Sequence, residues 1–319
     1  MITTGSITEI RGYLKKEREN GRTVGLVPTM GYLHEGHLSL MRRAREECDY
    51  VVISIFVNPK QFGPAEDFDR YPRDPERDKA MAEEAGADVM FAPGVEDMYP
   101  AGFSTYVYVK GPVARGLCAA SRPNHFRGVT TVCAKLFDIV QPDKAYFGQK
   151  DFQQTVVVKK VVKDLDIPLE IVMCPIVREP DGLAMSSRNV YLNAEERKAA
   201  TVLYRSLKEA EQSIANGLMD TKEILDDIEA AIADEPLVEL EYASICDTMN
   251  LNELDSIDRE AVIALAVKIG KTRLIDNVIV SGESCFVGTD PIRFHITTYP
   301  THNSRLTTYS KESMCCGLF

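Results

Sequence analysis

The sequence predicts an α/β protein built on a doubly wound parallel sheet, followed by a smaller C-terminal α+β domain. Three observations carry this reading. Residues 23–176 alternate short apolar runs with amphipathic ones, the pattern of successive βα units. One of those runs, Tyr50–Val57 (YVVISIFV), is almost continuously apolar and β-branched, which suits a strand covered on both faces. From Tyr191 the order changes, with helical patterns first and strand-like runs afterwards. The expected division is 1–182 for the sheet domain, 183–282 for the second domain with a hinge near 180–192, and 283–319 for a disordered tail.

Each element has a local reason. Thr23–Pro28 (TVGLVP) reads as the first strand and His37–Cys48 as the helix after it. After Tyr50–Val57, Asp74 reads as an N-cap with Pro75 at the first helical position, and that helix runs to Ala85 with Gly86 as its terminator. Asp88–Ala92 and Ser104–Val109 (STYVYV) read as strands, His125–Val140 as a helix, and Ala145–Gly148 as a short strand. Asp151–Leu165 carries apolar residues at helical spacing, and Leu169–Val177 closes the series as a strand. Asn193 with Glu196 three residues on makes a capping pair. The helix it opens ends near Gly217, and Thr221–Ala233 forms the next. Leu240–Cys246, Ala261–Val267 and Thr272–Val280 are strand-like. In the tail, 10 of 37 residues are Ser or Thr and no periodicity appears, which predicts disorder. Its last residues, Cys316-Gly317-Leu318-Phe319, fit a prenylation signal only formally, because Gly stands where an aliphatic residue belongs.

Composition narrows the partners. The 319 residues are 45% hydrophobic and 27% charged, long enough to bury a core without disulfides or structural metals. Lys plus Arg number 37 against 48 Asp plus Glu, a net charge of −11. Such a chain is a poor general partner for nucleic acid or an anionic membrane. An anionic substrate would need a local cluster of positive groups. No run approaches the length of a membrane-spanning helix, and the polar N-terminus MITTGSITEIRGYLKKEREN lacks the apolar core of a secretory signal. The eight cysteines are scattered without a CxxC pair or zinc spacing, as expected of buried, reduced thiols in a cytoplasmic protein.

GxGxxG and HExxH are missing, and Gly270-Lys271-Thr272 has Leu265 where a phosphate-binding loop of the Walker type needs glycine. The informative stretch is Pro28-Thr29-Met30-Gly31-Tyr32-Leu33-His34-Glu35-Gly36-His37. It leaves the first strand, passes two glycines and enters a helix at about His37. A helix N-terminus offers free N–H groups and a positive dipole end, which suit phosphate. Two of only five histidines fall inside this turn, where both imidazoles can meet one ligand. An ordinary strand–helix turn and a metal site are the lesser alternatives, since no carboxylate or thiol cluster nearby completes a metal set. Asn58-Pro59-Lys60-Gln61-Phe62, Gly148-Gln149-Lys150-Asp151-Phe152-Gln153-Gln154 and Met185-Ser186-Ser187-Arg188-Asn189 also follow predicted strands. Singly, Lys150 reads as well as a surface lysine and Ser186-Ser187 as an ordinary turn. Together they fall at the carboxyl edge of the sheet, where open parallel sheets bind ligands.

PTMGYLHEGH, FVNPKQF, RPNHFRGV, FGQKDFQQ and MSSRN, in this order, strongly resemble the pantoate–β-alanine ligase (pantothenate synthetase) family. That family belongs to the Rossmann-like nucleotidyltransferases of HxGH type. The resemblance spans about residues 1–282, with Gln149 standing where many members carry Glu. It implies ATP-dependent condensation of (R)-pantoate with β-alanine to pantothenate, AMP and diphosphate, through a pantoyl adenylate. It further implies that His34, His37, Lys150, Ser186, Ser187 and Arg188 serve catalysis and hold the phosphates. Met30, Gly31, Gly148, Gln149, Asp151, Val177 and Met185 would complete the ATP site. Thr29, Met30, Asn58, Gln61 and Gln154 would surround pantoate, and Asp78 would serve Mg²⁺. A cytoplasmic homodimer without nucleic-acid or membrane partners is implied too. The rival readings are a nucleotidylyltransferase acting on a phosphate-bearing acceptor, and a non-enzymatic scaffold with a decayed site.

Overall fold

The computed structural model describes residues 1–64 and 66–281, so the expected tail and its Cys316–Phe319 terminus lie outside the described residues. The chain begins with β1 (Ile2–Thr4), α1 (Ile7–Glu19), β2 (Val24–Thr29), α2 (Glu35–Glu47) and β3 (Tyr50–Ile55). Next come α3 (Pro75–Glu84), β4 (Val89–Phe91), α4 (Val95–Met98) and α5 (Cys118–Ser121). They are followed by α6 (His125–Val140), β5 (Lys144–Gly148), α7 (Phe152–Asp164) and β6 (Glu170–Cys174). These six strands form one parallel sheet in the order β1-β4-β3-β2-β5-β6.

The run VGLV of β2 is buried throughout because both faces are covered. Leu26, Val52 and Phe91 pack with α1, α6 and α7 on one side, while Val27, Val51 and Ile53 meet α2 and α3 on the other. Successive residues alternate faces, so each strand joins two cores.

The C-terminal part supplies α8 (Ala194–Ala199), α9 (Val202–Ala215), α10 (Thr221–Ala233) and the antiparallel strands β7 (Val238–Asp247), β8 (Ala261–Ile269) and β9 (Thr272–Val280). One face of this sheet (Ile245, Ile263, Leu265, Leu274) packs on α9 and α10. The other (Tyr242, Cys246, Val262, Ala264) belongs to the same apolar cluster as α6 and α7. The small sheet is therefore packed directly on the large one's helical layer.

Four expectations need correction. Ser104–Val109 is not a strand: no strand among the described residues pairs with it, and the hydroxyls of Thr130 and Thr131 satisfy Val107 instead. The helix after β2 starts at Glu35, two residues before His37, with His34 as its N-cap. The helix opened by Asn193 does carry its capping box but breaks after Ala199, where the Thr201 hydroxyl donates to Lys198 O and competes with the helical ladder. Finally, β1 and α1 occupy residues that carried no assignment. The α1 signal was present in Ser6, whose hydroxyl accepts from Glu9 N, and in the buried pair Ile10 and Leu14 at helical spacing.

Candidate active site

The winding of the large sheet reverses between β2 and β5, which pair side by side. At such a switch point the two flanking loops diverge and leave a crevice beyond the strand ends. The structure has a cleft there, with about 1350 Å³ of empty space including its open mouth. The loop after β2 lines it with Thr29, Met30, His34 and His37, and the turn after β3 with Asn58 and Gln61. Gly148, Lys150, Asp151 and Gln154 enter from β5 and α7. Val177, Met185, Ser186, Ser187 and Arg188 close it from beyond β6. Gly31, Gln149 and Asp78 do not line the cleft.

The two histidine rings stack with centroids 4.0 Å apart. The backbone N–H of His34 donates to Nδ1 of His37 at 3.3 Å, so a neutral His37 carries its proton on Nε2. Burial, followed by the positive charge of Lys150, lowers the pKa of His37 to about 4. Burial, then His37 and Lys150, lowers His34 to about 2. Both rings are thus neutral near pH 7 and act as single donors. Nδ1 of His34 is buried without a hydrogen-bond partner, a polar atom free for a ligand.

The loop that presents them is held by Asp78. Gly31 and Tyr32 take left-handed backbone angles (φ 81° and 50°), and the carboxylate of Asp78 accepts from the N–H groups of Tyr32 at 2.8 Å and Leu33 at 2.7 Å. A side chain on Gly31 would approach that carboxylate to 2.9 Å. Asp78 is 1% exposed, and burial pushes its carboxyl up despite the two backbone donors. In this structure both oxygens of Asp78 face the backbone of the histidine loop, so the carboxylate shapes that loop.

Lys150 reaches the cleft on a turn pinned by β9: the Asn277 amide donates to Gln149 O and Lys150 O, each at 3.0 Å. Gln149 turns away, donating to Asn277 Oδ1. Opposite, Arg188 is held by Asp67 through Nε and Nη2, both at 2.9 Å. Burial opposes the Asp67 charge, but these bonds prevail and hold its carboxyl below the usual range. Ser187 Oγ donates to Tyr32 O at 3.1 Å, tying the MSSRN segment to the histidine loop.

Beneath Gln61 lies a second polar layer. His125 donates from Nδ1 to Gln61 O at 2.9 Å, because its Nε2 faces the guanidinium of Arg122 at 3.1 Å and can only accept. Arg122 in turn forks onto Glu66. Asp67, Asn277, Arg122 and His125 received no role from the sequence. The RPNHFRGV motif was the one signal for the last two, while Asp67 and Asn277 act over separations of 121 and 127 residues.

The Pantoate-beta-alanine ligase family matches residues 2–279 of the chain. Pantothenate synthetase of Acetivibrio thermocellus is 57% identical over 275 residues, covering 86% of this chain and 98% of that protein. The enzyme of Pelotomaculum thermopropionicum is 55% identical over 280 residues, covering 88% and 99%. The crystal structure of pantothenate synthetase from Thermus thermophilus superimposes with a TM-score of 0.84 at 50% identity, covering 87% of this chain and 99% of that one. Pantoate-beta-alanine ligase from Francisella tularensis, complexed with beta-gamma ATP and beta-alanine, gives 0.73 at 35% identity, covering 88% and 97%. With the fold, the cleft and these relatives in agreement, the chain belongs to the pantoate–β-alanine ligase family.

Proposed function

We propose that the cleft carries out the family's ligase reaction, pantothenate formation from pantoate and β-alanine, through a pantoyl adenylate held between the histidine loop and the MSSRN segment. The observation that carries this is the convergence of two neutral imidazoles, Lys150 and the Asp67-held Arg188 on one cleft. In the first step the pantoate carboxylate attacks the α-phosphorus of ATP, an O–P bond forms, and pyrophosphate leaves. In the second the β-alanine amine attacks the acyl carbon, the C–O bond to AMP breaks, and the amine gives up a proton. No covalent nucleophile is needed. The site supplies positioning and neutralisation of phosphate charge.

His34 and His37 donate to phosphate oxygens, Lys150 and Arg188 offset their charge, and Ser186 and Ser187 add donors. Gln61 and Gln154 address pantoate with Thr29, Met30 and Asn58 around it. Gly148, Asp151, Val177 and Met185 take the nucleoside. Gly31 and Gln149 act through the backbone of their turns. Mg²⁺ enters as the counter-ion of the ATP substrate, and no step rests on a protein ligand to it.

We assign residues 183–282 to a lid hinged at 180–192, because Ser186 and Arg188 sit at its root. Nucleotide should then slow hydrogen exchange of 180–192, and unchanged exchange would sink the lid. A cytoplasmic homodimer rests on the resemblance, with the buried free thiols Cys48, Cys118, Cys133, Cys174 and Cys246 supporting a reducing compartment. No helix of the described residues is long and apolar enough to cross a membrane. The function is tested by AMP release from MgATP with pantoate and β-alanine, singly and together. AMP should require both, and pyrophosphate exchange into ATP should need pantoate alone; exchange without pantoate would contradict the reading.

A further inference from the structure

Asn58 is 1% exposed, yet every hydrogen-bonding position of its amide is used. Oδ1 accepts from Lys60 N at 3.2 Å and from the Tyr99 hydroxyl at 2.8 Å. Nδ2 donates to Gly128 O at 3.1 Å and to Gln61 Oε1 at 2.9 Å. Lys60 N–H can only donate and Gly128 C=O can only accept, so these backbone groups allow one orientation of the Asn58 amide. The Tyr99 hydroxyl, buried at the end of α4, must then be a donor. With its oxygen held on the Asn58 side, Gln61 turns its N–H groups to the cleft, where Nε2 now rests on the thioether of Met30 at 3.2 Å. A thioether is a weak acceptor, readily exchanged for an oxygen.

We propose that Tyr99 and Asn58 are positioning residues that fix the polarity of the Gln61 amide, so that its N–H groups face the cleft and select an acceptor oxygen of the acid substrate. Asn58 thereby acts through Gln61 instead of on the substrate itself. Tyr99, outside all five sequence motifs, becomes a determinant of acid recognition. A wall built to donate rejects analogues lacking the matching acceptor far more sharply than an apolar wall could.

The inference rests on the placement of pantoate beside Gln61, and the test separates the two. Three variants of the full chain are compared by KM for pantoate, KM for ATP, kcat and thermal midpoint. Gln61→Glu puts an acceptor in the cleft while still accepting from Asn58, and should raise the pantoate KM on the order of a hundredfold. Asn58→Asp keeps the acceptor for Tyr99 and Lys60 but repels Gln61 Oε1, so the amide turns over and the pantoate KM should rise similarly. Tyr99→Phe removes one buried donor, and the same KM should rise about fivefold. In all three the KM for ATP should stay within about twofold, the resolution of a minor contact.

If Gln61→Glu leaves the pantoate KM unchanged, the placement of pantoate is wrong. If it raises that KM while Asn58→Asp and Tyr99→Phe lower only the thermal midpoint, or shift both KM values alike, the positioning role is overturned and the pantoate placement survives. Should Asn58→Asp fail to fold, the nearly isosteric Tyr99→Phe decides alone.

Discussion

A single methyl group at Gly128 should damage both stability and catalysis, against the usual rule for helices. Gly128 lies in the first turn of α6, where Gly→Ala ordinarily stabilises by about 1 kcal/mol through helix propensity. Here the added Cβ would lie 2.3 Å from Lys60 O, 2.4 Å from its carbonyl carbon and 2.6 Å from Gln61 Cα. Ordinary contacts to a Cβ begin at 3.4 Å, so helix and turn must part by roughly 1 Å, an overpacking that costs about 1–3 kcal/mol. The obstacle is backbone on a turn that Asn58 also ties down, so the upper part of that range applies. The net loss is then about 2 kcal/mol, or a fall of about 4 °C in Tm. Gln61 rides on the displaced turn, and a misplacement of about 1 Å can reduce kcat/KM on the order of a hundredfold. Gly12→Ala in α1 is the control: its site is exposed and has nothing within 4 Å. It should raise stability by about 1 kcal/mol and leave activity alone. Calorimetry and pantoate-dependent kinetics on both variants test the reasoning. A Gly128→Ala enzyme with a raised Tm and unchanged kcat/KM would refute it.

Acidification should destabilise the fold well above the carboxylate range. His34, His37 and His125 have folded pKa values of about 2, 4 and 4 against an ordinary 6.5, with burial the largest cause in each. Between pH 6.5 and 4 the unfolded chain therefore binds more protons than the folded one, and stability must fall as pH falls. Tm measured across this window should decline and His125→Gln should flatten part of the slope; a flat or rising Tm on acidification contradicts the neutral assignments. Asp78→Asn keeps one acceptor but loses the second loop contact. Activity should drop about tenfold, as for a charge-assisted hydrogen bond, with the Mg²⁺ concentration for half-maximal rate unchanged. A large rise in that concentration would restore Asp78 to the metal.

Much of this molecule was legible because its signals are local. The bounds read for α6 and α10 coincide with the observed helices, and the clean β-branched run of β3 reflects burial on both faces. The motif residues at strand ends could be collected into one site because parallel topology brings strand ends together. What escaped depends on residues distant in sequence. Asp67, Asn277 and Tyr99 are ordinary in their own segments and gain meaning only from Arg188, the Lys150 turn and Asn58 packed against them. The hold of Asp78 on the histidine loop escaped for the same reason: its partners are backbone N–H groups of a loop 45 residues away. His34 escaped as a helix cap because caps are expected to be Ser, Thr, Asp or Asn.

The central claim is that the pantoate carboxylate becomes the leaving oxygen of an acyl adenylate. Turnover of pantoate carrying heavy oxygen in its carboxylate, followed by mass analysis of the products, tests it most directly. The reaction derived from the cleft predicts AMP heavier by one labelled oxygen and unlabelled pyrophosphate. Unlabelled AMP, or label released in inorganic phosphate, would contradict the adenylate and with it the reading of the site.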